Sequence, residues 1–164
     1  MTPLGSPTLA AITSTPRSAR RWLALSILAL AQFLVVLDAS IVNIALPVLG
    51  RQLHMTTAAL AWVVTAYVLA FGGLLLLGGR LADRYGHRRV FLIGTSGFVA
   101  ASALAGLSPS SEVLLAARAL QGASAALLAP AALALLTLLF PESGARTKAL
   151  GVWGAVAGIG SAAG

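Results

Sequence analysis

Long apolar runs broken by short polar stretches set the pattern of this chain. The runs cover residues 22–46, 58–78, 90–107 and 113–140, and a fifth starts near Leu150 and is still apolar at Gly164. A helix needs roughly 20 mostly apolar residues to cross hydrocarbon, so the pattern predicts four complete transmembrane helices and a truncated fifth. Pro47 is expected to stop the first. The connections, 48–57, 79–89, 108–112 and 141–149, are short. They make consecutive helices antiparallel and leave no room for a soluble domain. The expected fold class is an all-α membrane protein, with residues 22–164 as a partial N-terminal bundle. Because the last run meets no polar tail and no basic stop, the chain reads as the N-terminal piece of a longer protein or a truncated product.

Residues 1–21 differ from the rest. They are rich in Ser, Thr and Pro, lack acidic groups and end in Arg17, Arg20 and Arg21, which predicts a disordered basic lead-in. The apolar run that follows is too long for the core of a secretory signal.

Composition supports the membrane reading. Of the 164 residues 59% are hydrophobic and 9% charged, where a soluble domain carries about 25% charged. That excludes an ordinary soluble enzyme. The net charge of +7 does not indicate nucleic acid, because the basic groups are separated by apolar runs and form no patch. The absence of cysteine excludes a disulfide framework and thiolate metal sites. His54 and His87 have no metal-ligand spacing, so no metal and no cofactor are expected.

Charge also orients the chain. With the N-terminus in the cytoplasm, nine basic residues fall inside: Arg17, Arg20, Arg21, Arg80, Arg84, Arg88, Arg89, Arg146 and Lys148. Only Arg51 falls outside and Arg118 lies within a span, as the preference of basic loops for the cytoplasm requires. Small residues allow close helix approach, as at the pairs Gly154/Gly158 and Gly160/Gly164, and Pro130 is expected to kink the fourth span.

Ionisable groups inside spans are expensive and mark function. There are two, Asp38 and Arg118. At 1.5 Å per helical residue, Asp38 lies roughly 13 Å below the outer end, Gln121 roughly 12 Å, Arg118 roughly 8 Å and Asn43 roughly 6 Å. The four polar groups are therefore expected to gather in the outer half of the membrane. They could form a hydrated substrate- or proton-handling cavity with Asp38 as the proton carrier, or a static ion pair with a structural role. At the opposite face, 79–89 places one carboxylate, Asp83, among Arg80, Arg84, His87, Arg88 and Arg89, bracketed by Gly79 and Gly86. A basic anchor explains the arginines but not the Gly-x-x-x-Asp-Arg-x-Gly arrangement.

That segment, Gly79-Arg80-Leu81-Ala82-Asp83-Arg84-Tyr85-Gly86-His87-Arg88-Arg89, closely resembles the signature between the second and third helices of the major facilitator superfamily. It departs at Arg80, where the family favours Leu or Tyr, and at His87, where it favours Arg. The stretch Leu37-Asp38-Ala39-Ser40-Ile41-Val42-Asn43-Ile44-Ala45-Leu46-Pro47 resembles the first-span motif of the fourteen-span drug:proton antiporter branch, with Ser40 for the usual Thr. Arg118-Ala119-Leu120-Gln121-Gly122 is similar to the proton-coupling motif, with Ser124 where a glycine is common. Gly151, Gly160 and Gly164 are spaced as in the antiporter motif, which would next require a proline.

The resemblance implies roles. Asp83, Arg84 and Arg88 would gate the inner face against the other half of the transporter. Arg118 with Gln121 and Gly122 would take part in proton coupling, and Asp38 and Asn43 would line or brace the cavity. The fifth-span glycines would favour export over import. Histidine at position 87 would make the gate mildly pH-sensitive, since histidine changes charge near neutral pH. The implied protein is a proton-coupled efflux transporter of the cell membrane, not an enzyme, working by alternating access. Its partners would be the lipid bilayer, protons, a small amphipathic or drug-like substrate and the missing C-terminal half. Two alternatives remain: a superfamily carrier for a metabolite or sugar, and a non-transporting membrane remnant.

Overall fold

Two of the helices start at polar residues whose side chains accept a hydrogen bond from the first turn. The structure, a computed structural model, describes residues 15–162, with side chains over 19–159. Those residues fold into five helices: α1 (Thr15–Gln52), α2 (Thr57–Tyr85), α3 (His87–Gly106), α4 (Ser111–Leu139) and α5 (Ser143–Ala162). Thr56 caps α2 by accepting from the Ala59 N–H at 3.2 Å, and Ser110 caps α4 by accepting from Val113 N–H at 3.5 Å. Each cap meets a donor that the first helical turn leaves without a partner. The all-α architecture matches the expectation, and among the described residues α1 to α4 are long and apolar enough to cross a membrane.

Helix α1, the α2–α3 joint and the start of α5 depart from the apolar runs. Helix α1 continues through Pro47 to Gln52. Proline removes one N–H and crowds the carbonyl four residues back, here that of Asn43. Asn43 is exposed, and the helix absorbs the loss instead of ending. At its other end α1 already includes Arg17, Arg20 and Arg21, so the disordered lead-in does not reach Trp22. Residues 1–14 of that lead-in lie outside the described residues.

The second difference lies at the basic connection. The segment 79–89 is not a loop: α2 runs on to Tyr85, α3 begins at His87, and Gly86 alone separates them. Its φ of 93° is a conformation that side chains with a Cβ rarely adopt. Its N–H closes α2 on the Ala82 carbonyl at 3.0 Å. Third, α5 starts at Ser143, earlier than Leu150. Arg146 secures that start, donating from Nε to the Phe140 carbonyl at 3.3 Å and from Nη2 to the Pro141 carbonyl at 2.6 Å.

Helix α4 is the centre of the bundle. It packs along α2 on one side and α3 on the other, while α5 packs on α1. A core of Leu25, Leu28, Ala82, Phe91, Leu128 and Leu136 joins α1 to α4 near the end that carries most of the basic residues. Glycine sets the α2–α4 distance: a Cβ on Gly122 would strike the Tyr67 carbonyl, and one on Gly78 would strike the Ala126 carbonyl. Helix α4 runs unbroken through Pro130, which deprives that same Ala126 carbonyl of its helical donor. Gly78 thus closes on the point where α4 has a spare acceptor, and Gly79 lies beside the Pro130 ring.

The fifth helix behaves otherwise. Its packed positions are Ala149, Trp153 and Val156, which meet the core or α1, and Gly151 and Gly154 lie on the other face. A Cβ at Gly151, Gly154 or Gly158 would meet nothing within 4 Å. The close approach expected at Gly154 is therefore not made by the described helices.

Candidate functional site

Arg118 and Gln121 lie three residues apart on α4 and so share a face. That face points into the bundle, where Arg118 is 2% exposed and Gln121 fully buried. Such groups survive burial only when hydrogen-bonded, and here they bond to each other and to the other helices. The Arg118 Nη1 donates to Asp38 Oδ2 on α1 at 2.7 Å and to Gln121 Oε1 at 2.8 Å. Its Nε donates to the Val63 carbonyl on α2 at 3.1 Å. The guanidinium carbon stands 4.5 Å from the centre of the Tyr67 ring, a cation–π distance. Gln121 Nε2 donates to Asp38 Oδ1 at 2.7 Å and to Ser102 Oγ on α3 at 2.8 Å.

Four helices thus meet at one charged pair. The Asp38 side chain is 16% exposed and is the charged member that opens onto a cavity. That cavity, about 270 Å³, lies between α1 and α3 and includes Gln52, Ser102 and Ser108 among its lining residues. One carboxylate oxygen thus faces a guanidinium and the other an amide, and the group keeps an open side toward the cavity.

Sequence reasoning brings Asp38, Arg118 and Gln121 together, and the structure does the same. Asn43 does not join them; it is exposed. Five residues after Asp38, it is rotated about 140° around α1, at 3.6 residues per turn. Ser102, Tyr67 and the Val63 carbonyl are partners that the depth argument missed. Val63 and Tyr67, four apart on an apolar helix, carry a weak signal of a shared face; Ser102 carries none that distinguishes it from other serines.

The Gly79–Arg89 segment forms a second, exposed group. The Asp83 side chain is 78% exposed, and its carboxylate lies 4.0 Å from His87 Nε2. Arg84 lies over the Tyr85 ring at 5.8 Å. Among the described residues neither Arg84 nor Arg88 has an ion-pair partner. Of the fifth-span glycines, Gly151 faces open space, Gly160 lies in α5, and Gly164 lies outside the described residues. No cluster of potential metal ligands occurs among the described residues.

Comparison with known proteins decides what this arrangement belongs to. The family described as Major Facilitator Superfamily matches residues 28–164. The chain belongs to the major facilitator superfamily. It is 58% identical over 88% of its length to the puromycin resistance protein pur8 of Streptomyces alboniger, covering 29% of that protein. It is 49% identical over 92% of its length to the cephamycin export protein CmcT of Amycolatopsis lactamdurans, covering 31% of it. The multidrug efflux pump LfrA of Mycolicibacterium smegmatis is 40% identical over 93% of the chain, with 30% of the pump covered. The chain therefore spans about 30% of the length of the curated relatives it matches. This superfamily chain is a multi-pass membrane protein, and its relatives are transporters rather than enzymes.

Proposed function

We propose that this chain supplies the N-terminal helices of a proton-driven efflux transporter for drug-like molecules, placed in the cell membrane with its N-terminus in the cytoplasm. The observation that carries the reading is the Asp38–Arg118–Gln121 cluster, an embedded carboxylate bonded to an embedded guanidinium. The relatives' names, resistance protein, export protein and efflux pump, favour export over uptake. The nine basic residues at one end of the helices favour that end as cytoplasmic.

The mechanism follows from what a proton does to Asp38. A charge-assisted hydrogen bond is roughly twice as strong as a neutral one, so a proton on Asp38 weakens its bond to Arg118. Arg118 keeps the Val63 carbonyl, the Gln121 amide and the Tyr67 ring, all on α2 or α4. What loosens is the polar tie between α1 and α4; their apolar contact is the core around Leu28 and Leu128. Loading and unloading that tie would bias the rocking of two helical bundles about a midplane site, which is alternating access. Asp83, Arg84 and Arg88 would gate the cytoplasmic face against the rest of the transporter, with Gly86 as the joint. Gly151, Gly160 and Gly164 would pack α5 against that same remainder.

The test is export by the full-length protein in inverted membrane vesicles, with and without an imposed proton gradient. The wild type is expected to export a fluorescent drug only with the gradient, and Asp38→Asn to lose the dependence and most of the rate. Undiminished gradient-driven export by Asp38→Asn would sink the proposal.

A further inference from the structure

We infer that Ser102 is a positioning residue for Asp38: it holds the Gln121 amide against the carboxylate from a third helix and so sets the pH at which the carboxylate takes a proton. The inference rests on the proton-coupling reading above. Gln121 is a side chain with three rotatable bonds, and it is fully buried. Arginine only donates hydrogen bonds, so the amide atom facing Arg118 Nη1 must be the oxygen. The nitrogen then turns the other way with two hydrogens to place. One meets Asp38 Oδ1 at 2.7 Å and the other Ser102 Oγ at 2.8 Å. Every polar atom of Gln121 is thereby used, and α3 enters the cluster only through Ser102.

Without the Ser102 hydroxyl, one amide hydrogen is stranded in a buried site, and the amide has reason to move off Asp38. A carboxylate that loses a donor is easier to protonate. The groups facing Asp38 are otherwise unchanged: Arg118 from α4 as the charged partner and Tyr67 from α2 over the guanidinium. Among the described residues, no further charged side chain bonds to Asp38.

The experiment measures the pH dependence of gradient-driven export by the full-length protein carrying Ser102→Ala, Ser102→Cys or Ser102→Thr, with Asp38→Asn beside them. Ser102→Ala is expected to move the half-maximal pH upward by roughly half a unit to one unit, the weight of one hydrogen bond. Ser102→Cys, similar in size but a weak acceptor, should move it the same way and provides a second variant if the alanine protein folds poorly. Ser102→Thr, which keeps the hydroxyl, should restore the wild-type profile. If Asp38→Asn abolishes coupling while Ser102→Ala or Ser102→Cys keeps the wild-type profile, the role of Ser102 is wrong and the proton-coupling reading stands. If Asp38→Asn remains coupled, both fall together.

Discussion

The two groups of motif residues in this chain differ in where their partners are. Around Arg118 the polar groups bond to one another and to the other helices of the bundle, at 2.7 to 3.1 Å. At the α2–α3 joint, by contrast, Asp83 stands 78% exposed and its nearest ionisable contact is a histidine at 4.0 Å. The glycines divide the same way. Gly78 and Gly122 sit against backbone that admits no Cβ, while Gly151 and Gly154 face open space. Residues of the first kind build this bundle. Those of the second kind contribute little within it, and their chemistry would suit the contacts proposed above with the remainder of a transporter.

The largest effect that could break this contrast is at Arg118. Arg118→Ala leaves Asp38 and Gln121 without their shared donor and should lower the stability of the full-length protein by about 3 kcal/mol, the low end for a broken buried pair, because Asp38 can relieve itself by taking a proton. Thermal unfolding in detergent reads this, and a variant as stable as the wild type would contradict the role given to the cluster. Next comes the glycine pair. Gly122→Ala forces a methyl against the Tyr67 carbonyl and should cost roughly 1–3 kcal/mol. Gly154→Ala meets nothing and should be neutral or gain up to about 1 kcal/mol from helix propensity. Equal losses at both positions would mean that α5 is as closely packed as α4.

Smaller effects probe the exposed joint. Asp83→Asn should change unfolding by less than about 0.5 kcal/mol, as exposed substitutions do, and yet reduce export by the full-length protein. A melt that falls as far as that of Arg118→Ala would place Asp83 inside the bundle's own framework. The smallest shift is expected from His87→Arg, which replaces the weak 4.0 Å contact of a partly buried imidazole to Asp83 by another weak contact and should alter stability by a few tenths of a kcal/mol.

Much of this was legible in the sequence, and the gaps have physical causes. Apolar runs locate α1 to α4, and α5 in part, because hydrocarbon requires long uninterrupted helices. They misplace the ends because a helix can continue past the hydrocarbon. Arg80, Asp83 and Arg84 look like a loop by polarity, yet they form the last turns of α2. Counting residues gave Asp38, Arg118 and Gln121 similar depths, and depth was enough to pair them. It says nothing of direction around a helix, which is why Asn43 was grouped with them and Ser102 and Tyr67 were not. Pro47 shows a third limit: one residue's preference yields to the helix on either side of it.

The central claim is that Asp38 exchanges a proton as the transporter works. The most direct measurement adds drug to the purified, weakly buffered full-length protein and follows the pH with an indicator dye. The account predicts release of up to one proton per molecule from the wild type and none from Asp38→Asn. Proton release that persists unchanged in Asp38→Asn would contradict it.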